Sequence, residues 1–327
     1  MNNSKIVIAG GTGFIGQALA GYFGTHNEVV VLSRNRKKTV NNAHGMNLLK
    51  NNTSQNIRMV EWDGIRTGKW VNELEGANLL VNLAGKTVNC RYTEKNKAEI
   101  LRSRVDAVNV LGTALRSCVR PPRCWVNASS ATIYRHAEDH AQDEYTGEIH
   151  NDFSVQVCKE WEAALENQRT PFTRKIALRM AINLGTGGIL TPYFNLLKLG
   201  LGGKQGSGRQ MYSWLHIDDT CRIINWLYEN NEAEGVYNAA APNPVTNTEF
   251  MRVLRSLTGH RLGLPAYSWM LRAGGWLIGT APELVLKSRW VLPTRLLREG
   301  FLFKYPELEG ALQQIISKLP RKTYHLF

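Results

Sequence analysis

The chain of 327 residues is 43% hydrophobic and 20% charged, and its 40 lysines and arginines against 27 aspartates and glutamates give a net charge of +13. This composition is ordinary for a globular protein with one large core, or with a main domain and a smaller lobe. No stretch approaches the roughly 18 consecutive apolar residues that span a membrane, and five scattered cysteines without a CxxC pair argue against zinc ribbons and redox dithiols.

Apolar runs alternate with helical patterns over the first half of the chain. The runs are continuous stretches of valine, isoleucine and leucine, which is typical of strands that are buried on both faces. They lie at 5–10, 28–33, 57–62, 79–85, 124–130 and 175–185. Helical patterns fill the intervals at 14–25, 94–118 and 152–168. This order predicts an α/β fold, namely a Rossmann-type doubly wound parallel sheet.

Beyond residue 185 the pattern changes to glycine-rich loops and further helices, including a capping box at Thr246 and Glu249. We predict a dinucleotide-binding Rossmann domain at 1–184 and 212–242. A smaller, mostly helical C-terminal substrate lobe is predicted at 185–211 and 243–327. No low-complexity linker separates the two, so we expect them to pack together.

A glycine-rich turn directly follows the first predicted strand and opens the first predicted helix. Glycines in this position let the backbone turn sharply and let a pyrophosphate lie on the helix N-terminus. The context is the one that a dinucleotide-binding fingerprint requires. The predicted cofactor contacts in this turn are Gly10, Thr12, Gly13, Phe14, Ile15 and Gly16.

The end of the second predicted strand indicates which dinucleotide is bound. A site that prefers NAD usually places an acidic residue there, to bind the ribose 2′-hydroxyl group. This chain has Ser33 and Arg34 instead, followed by Arg36, Lys37 and Lys38. An arginine binds a 2′-phosphate through charge-assisted hydrogen bonds, whereas a carboxylate repels it. We therefore predict NADP(H) as the cofactor. Asp63, after the third strand, is a candidate partner for the adenine amino group.

Five short motifs then occur in the order of a known family. They are GGTGFIG (10–16), NLAG (82–85), NVLGT (109–113), SSATIY (129–134) and HIDD (216–219). With them the chain resembles the extended short-chain dehydrogenase/reductase superfamily, of the UDP-sugar epimerase kind. The last third resembles an atypical branch, the YfcH-like epimerase-family proteins, which have a small C-terminal domain of unassigned function. From NLAG, the resemblance adds Leu83, Ala84 and Gly85 to the cofactor contacts.

The resemblance also implies a catalytic serine, tyrosine and lysine, in which the tyrosine transfers the proton. The serine matches Ser130. Counting 25 residues on gives Val155 where the tyrosine belongs, and Lys159 four residues later matches the lysine. Two explanations stay open: Tyr134 supplies the phenol, or the protein binds NADP(H) without the usual turnover. The catalytic candidates are thus Ser130, Tyr134 and Lys159, with Lys159 also holding the nicotinamide ribose.

Substrate contacts are expected from the loops at the carboxyl edge of the sheet and from the smaller lobe. The predicted substrate-binding residues are Arg91, Tyr92 and Arg209, and Arg104 lies on the same segment as the first two. The histidines and carboxylates around His136 and His140 follow no known ligand spacing, so we predict no metal.

Two functions follow. The first is an NADP(H)-dependent oxidoreductase or epimerase that acts on a small, sugar-like or anionic substrate, which Ser130 and Lys159 favour. The second is a non-catalytic NADP(H)-binding regulator or sensor, which Val155 favours. The basic charge alone suggests nucleic acid, but no aromatic and basic platform supports it, so we expect neither a nucleic acid nor a membrane as partner. Because no leader precedes the first strand, we expect a cytoplasmic protein; a homodimer stays open.

Overall fold

A seven-stranded parallel sheet forms the centre of the computed structural model, which describes residues 1–34, 56–267, 270 and 287–325. The strands of this sheet are β1 (Lys5–Ala9), β2 (Glu28–Ser33), β3 (Ile57–Glu61), β4 (Leu79–Asn82), β5 (Cys124–Ser130), β6 (Arg174–Met180) and β10 (Gly235–Ala239). Their order in the sheet is β3-β2-β1-β4-β5-β6-β10, and the predicted doubly wound fold is therefore confirmed.

The strand order reverses between β1 and β4, which both pair in parallel with their neighbours. At such a switch point the loops after the two strands diverge to opposite faces and leave a crevice at the carboxyl ends. A buried hydrogen bond of 2.7 Å from Asn82 Nδ2 to Asn127 Oδ1 joins the end of β4 to the middle of β5. Asn82 also accepts from the Ala84 N–H at 3.0 Å, which fixes the chain where it leaves β4.

Helices pack on both faces of the sheet, and others lie outside it. The helices of the described residues are α1 (Phe14–Phe23), α2 (Glu94–Ser117), α3 (Phe153–Glu166), α4 (Leu190–Lys198), α5 (Ile217–Glu229), α6 (Asn247–Thr258), α7 (Thr294–Arg298) and α8 (Leu308–Ser317). One apolar cluster joins α1 and α5 to the sheet, and a second joins α2 and α3 to it. In the described part of the chain, no helix combines the length and the apolar character that a membrane crossing requires.

The helices α2 and α3 are held together at their C-terminal ends through Gln168. Its Nε2 donates to Asn109 Oδ1 and to the Ala164 carbonyl, both at 2.9 Å, and its Oε1 accepts from Arg116 at 3.2 Å. This side chain lies directly over Gly112, where a Cβ atom would be 1.9 Å from Gln168 Oε1. A side chain at Gly112 would require Gln168 to move, and with it the hydrogen bonds that join the two helices.

A third apolar cluster lies outside the central sheet. It takes residues from α4, α6 and α8 and from two small two-stranded sheets, which are β7 (Ile182–Leu184) with β9 (Trp214–His216) and β8 (Met211–Tyr212) with β11 (Val245–Thr246). The hydroxyl groups of Tyr193 and Tyr212 lie 2.9 Å apart in this core. The cluster is separate from the two at the sheet, although the predicted boundaries between the lobes stay a prediction.

Candidate functional site

A cavity of about 440 Å³ lies at the carboxyl ends of β1, β4 and β5. The glycine turn after β1 forms one end, Leu83 follows β4, and Ser129 and Ser130 end β5. The helices α2 and α3 supply the opposite wall. The cavity therefore occupies the crevice at the switch point, where doubly wound sheets bind their ligands.

Two glycines of the turn are required by its shape. Gly10 has a φ of +75°, and a Cβ atom there would be 2.8 Å from the Ala84 Cα, so the turn touches the chain that leaves β4. At Gly16 a Cβ would be 2.4 Å from the Gly11 Cα, because α1 packs against the turn. These positions bring the start of α1 close to the end of β1.

The third glycine leaves room for a ligand. Gly13 is exposed, and the nearest heavy atom to a Cβ placed there is 3.9 Å away, the Gly10 carbonyl oxygen. The helix α1 begins at the next residue without a side-chain cap. Its first backbone N–H groups have no acceptor within the helix, and the helix dipole favours an anion at this end. The turn thus fits the pyrophosphate of a dinucleotide. Phe14 and Ile15 line the cavity beside it.

The structure describes some of the residues that are predicted to bind the adenosine half of the cofactor. Ser33 is buried at the end of β2, and Arg34 follows it as an exposed residue. Thr12 is half-buried, and its carbonyl accepts from Gln17. The basic residues at 36–38 lie outside the described residues. Asp63 accepts the N–H groups of the two residues at 65 and 66 at 2.8 Å, and these hydrogen bonds lower the pKa of its carboxyl group.

Hydroxyl and thiol groups form a chain at the end of β5. Ser130 Oγ accepts from the backbone N–H of Thr132 at 3.2 Å and from its hydroxyl at 2.9 Å. Thr132 Oγ1 lies 3.5 Å from Cys158 Sγ, and all three residues line the cavity. Burial raises the pKa of the Cys158 thiol, so the sulfur keeps its proton at neutral pH. Because Thr132 donates to Ser130, the Ser130 hydroxyl hydrogen remains for another acceptor.

The helix α3 turns a different face to the cavity from the one that counting from Ser130 predicts. Val155 is fully buried in a small apolar cluster, and Lys159 is exposed, so the structure does not bring Lys159 to the cavity. The α3 residues that line it are Phe153, Ser154, Val157, Cys158 and Trp161. The pair with i, i+4 spacing at the cavity is therefore Ser154 and Cys158, one residue earlier than the pair counted from the sequence.

Tyr134 lies behind the cavity wall in a buried polar network. Its side chain is 1% exposed, its hydroxyl donates to Asn238 Oδ1 at 3.0 Å, and it accepts from Arg179 Nη1 at 2.8 Å. Burial raises the pKa of this phenol. Arg179 also donates two hydrogen bonds, at 2.9 and 2.7 Å, to the carboxylate of Glu162, which accepts from Ser129 at 2.5 Å. Tyr134 thus belongs to a hydrogen-bond network that holds Ser129, near the end of β5, through Arg179 and Glu162.

The three predicted substrate residues are not brought together. Tyr92 lines the cavity, and its ring packs edge-on against Phe153 at 5.2 Å between centroids. Arg91 is exposed. The Arg209 side chain is 81% exposed, and its Nε lies 3.6 Å from a carboxylate oxygen of Glu138, so it pairs at the surface.

Arg104 is a cavity residue that the sequence indicated only by its neighbourhood. From α2, its Nη1 donates to the carbonyls of Lys86 at 3.1 Å and Ile100 at 2.9 Å. Its guanidinium lies over the Trp161 ring, 5.0 Å from the centroid, and its Cζ is 3.1 Å from where a Cβ of Gly85 would be. Burial lowers the pKa of this guanidinium.

The histidine-rich loop forms a surface ion-pair cluster. Arg135 pairs with Asp139 and Glu148 at 2.8 Å each, and His140 Nε2 lies 2.9 Å from Glu148 Oε1. Over the ranges that the structure describes, no group of three or more histidines, cysteines and carboxylates is arranged to hold a metal ion.

Two family models match the chain. One, described as the NAD dependent epimerase/dehydratase family, matches residues 6–240, and the other, described as a domain of unknown function (DUF1731), matches 268–315. The mouse epimerase family protein SDR39U1 is 30% identical over 321 residues, covering 96% of this chain and 100% of that protein. The Bacillus subtilis epimerase family protein YfhF is 30% identical over 322 residues, covering 98% and 99%.

A solved structure is similar over nearly the whole chain. The human epimerase family protein SDR39U1 (isoform 2), crystallised with NADPH, superposes with a TM-score of 0.81 at 29% sequence identity. The match covers 96% of this chain and 100% of the human one.

Proposed function

Because the chain belongs to the NAD dependent epimerase/dehydratase family, we propose that it binds NADP(H) along the glycine turn and transfers hydride to or from a small substrate in the adjoining cavity. The observation that carries this proposal is the continuity of the cavity. It runs from Gly13 at the start of α1 to Ser130 at the end of β5. A dinucleotide with its pyrophosphate at the turn would therefore extend toward the hydroxyl groups.

The choice of NADP(H) over NAD(H) is supported by the end of β2. Residues 33–38, at and after the end of β2, include no aspartate or glutamate, and Arg34 is exposed next to the buried Ser33. The human relative was crystallised with NADPH, which agrees with this choice.

Within the cavity, the residues of the chain would orient the substrate and polarise it. A bound NADPH supplies a hydride from C4 of its nicotinamide ring. Ser130 has its oxygen held by Thr132, and its own hydrogen is left to donate to a substrate oxygen. Cys158 extends this chain as a neutral thiol. In this proposal Ser130 is the catalytic residue, and Thr132 and Cys158 position it.

The test measures binding and turnover separately. NADPH fluorescence is titrated with the purified protein, and NADPH oxidation is then followed at 340 nm with aldehydes, ketones, oxo acids and nucleotide sugars. We expect saturable binding, turnover of at least one class, and a loss of about 100-fold in kcat for Ser130→Ala at unchanged NADPH affinity. Absence of any fluorescence change with the wild-type protein would refute the proposal.

A second function is favoured by the position of Tyr134 and Lys159. Neither of these two residues lines the cavity, so a phenol and an ammonium group of the expected kind are not supplied from these positions. A non-catalytic NADP(H)-binding sensor is consistent with this arrangement. Tight NADPH binding without turnover across all substrate classes, with Ser130→Ala behaving as the wild type, would support it.

Replacing Arg34 with alanine is expected to weaken NADPH binding by about 10- to 100-fold and to leave NADH binding unchanged, since charge-assisted hydrogen bonds to a phosphate contribute about 1.5–3 kcal/mol. Fluorescence titration of both cofactors measures the ratio. Arg66→Ala is the matched control, because Arg66 is an exposed arginine after the neighbouring strand β3. Equal losses for NADPH and NADH, or the same loss in the control, would exclude Arg34 as the 2′-phosphate ligand.

A further inference from the structure

Among the described residues, the wall of the cavity contains one positive charge, and no opposite charge lies beside it. Of the described residues that line the cavity, Arg104 is the one with a charged side chain. Its hydrogen bonds go from Nη1 to two backbone carbonyls, which are neutral. Across the ranges described, no carboxylate lies within ion-pair distance of its guanidinium, whereas Arg179, the buried arginine behind the wall, has Glu162.

Arg104 is half-buried, and a cation partly withdrawn from water without a counterion is compensated here only in part. The ring of Trp161 beneath the guanidinium offers a cation–π contact. Nε and Nη2 of Arg104 have no acceptor in the described part of the protein. These two nitrogens form one edge of the planar fork that binds a carboxylate through two parallel hydrogen bonds. The unbalanced charge and the open edge of the fork both indicate an anionic ligand.

The surroundings of Arg104 define the rest of the ligand. The lining beside it includes the Cys158 thiol and five aromatic or aliphatic side chains, namely Tyr92, Ile100, Phe153, Val157 and Trp161. Such a surface favours an apolar body over a polar one. A single guanidinium neutralises a single negative charge, so a dianion would keep an unbalanced charge in the cavity.

We propose that the cavity binds a small monocarboxylate with an apolar or aromatic body, whose carboxylate pairs with Nε and Nη2 of Arg104. This inference rests on the proposed function in one respect: it takes the acid to be the substrate that exchanges hydride with the bound NADP(H). The carboxylate itself binds through Arg104 whether or not the cofactor is present.

The experiment measures ligand binding by calorimetry, with the protein both free and saturated with NADP⁺. The probes share one phenyl body: 3-phenylpropionate, its neutral amide 3-phenylpropanamide, and the dianion phenyl phosphate. The wild type should prefer the carboxylate to the amide by about tenfold or more, since hydrogen bonds to charged groups are the strong ones. Arg104→Met should abolish this preference at unchanged NADPH affinity. Arg104→Lys, which keeps the charge without the fork, should retain part of it.

Arg102→Met is the matched control, because Arg102 is exposed on the same helix and should leave every affinity unchanged. The proposal is overturned if the wild type binds acid and amide equally, if Arg104→Met keeps the preference, or if phenyl phosphate binds most tightly. Loss of NADPH affinity in Arg104→Met would overturn it too, because the arginine would then serve the cofactor. Failure of the wild type to bind NADPH would refute the proposed function and not the carboxylate site. The protein without cofactor would still show whether 3-phenylpropionate binds more tightly than its amide.

Discussion

Replacing Arg179 with methionine is expected to lower the free energy of unfolding by about 3–5 kcal/mol, the usual cost of leaving one member of a buried ion pair without its partner. The side chains of Arg179 and Glu162 are 9% and 15% exposed. Burial disfavours the charged form of Arg179, but its hydrogen bonds and attraction to Glu162 outweigh burial, and the pKa of the guanidinium is raised. Without it, Glu162 keeps a buried charge and Tyr134 loses a donor.

Urea unfolding followed by circular dichroism measures this loss. The exposed pair of Arg252 with Glu249 is the matched control, and Arg252→Met should cost less than about 1 kcal/mol. The double variant Glu162→Met with Arg179→Met should recover much of the stability, because an apolar pair needs no counterion. A loss in Arg179→Met no larger than that of the control would contradict the importance of the buried pair.

Alanine substitutions at Gly13 and Gly16 are expected to separate cofactor binding from folding. Gly13→Ala should leave stability unchanged, because the nearest atom to its Cβ is 3.9 Å away, and should weaken NADPH binding by about tenfold or more, because the methyl group keeps the pyrophosphate from the backbone. Gly16→Ala should lower the free energy of unfolding by about 1–3 kcal/mol, since its Cβ would overlap the Gly11 backbone.

Thermal unfolding and NADPH fluorescence, measured on the same preparations, test the Gly13→Ala and Gly16→Ala variants. Gly310→Ala in α8 is the control, because no heavy atom lies within 4 Å of a Cβ there. It should leave binding unchanged and stabilise the helix by up to about 1 kcal/mol. NADPH affinity at the wild-type level in Gly13→Ala would show that the cofactor does not approach this turn.

The sequence predicts the central sheet because its strands are buried on both faces and so read as unbroken apolar runs. The residues Ile6, Val7, Ile8 and Ala9 of β1 are all 0% exposed. The glycine turn is equally local, since the roles of Gly10 and Gly16 depend on backbone atoms within a few residues or at the end of the adjacent strand. Features of this kind follow from short segments of the chain.

Which face of α3 lines the cavity depends on distant residues and is not predicted from the sequence. One residue corresponds to a rotation of about 100° around a helix, so Ser154 and Cys158 line the cavity while Lys159, one position further on, is exposed. The rotation is fixed by the packing of Val155 in a cluster that includes Val291, more than a hundred residues later in the chain. The position of Arg104 beside Trp161 likewise needs α2 and α3 to be adjacent, which spacing alone does not give.

The contact between Gly112 and Gln168 gives the NVLGT motif a role in packing α2 against α3. Arg104 is eight residues before Gly112 on α2, about 12 Å along the helix axis, and Trp161 stands on the α3 side of the same helix pair. The packing of α2 against α3 at Gly112 therefore bears on how closely Arg104 and Trp161 approach each other in the cavity wall. A glycine that does not itself line the cavity thus helps to set the shape of that wall.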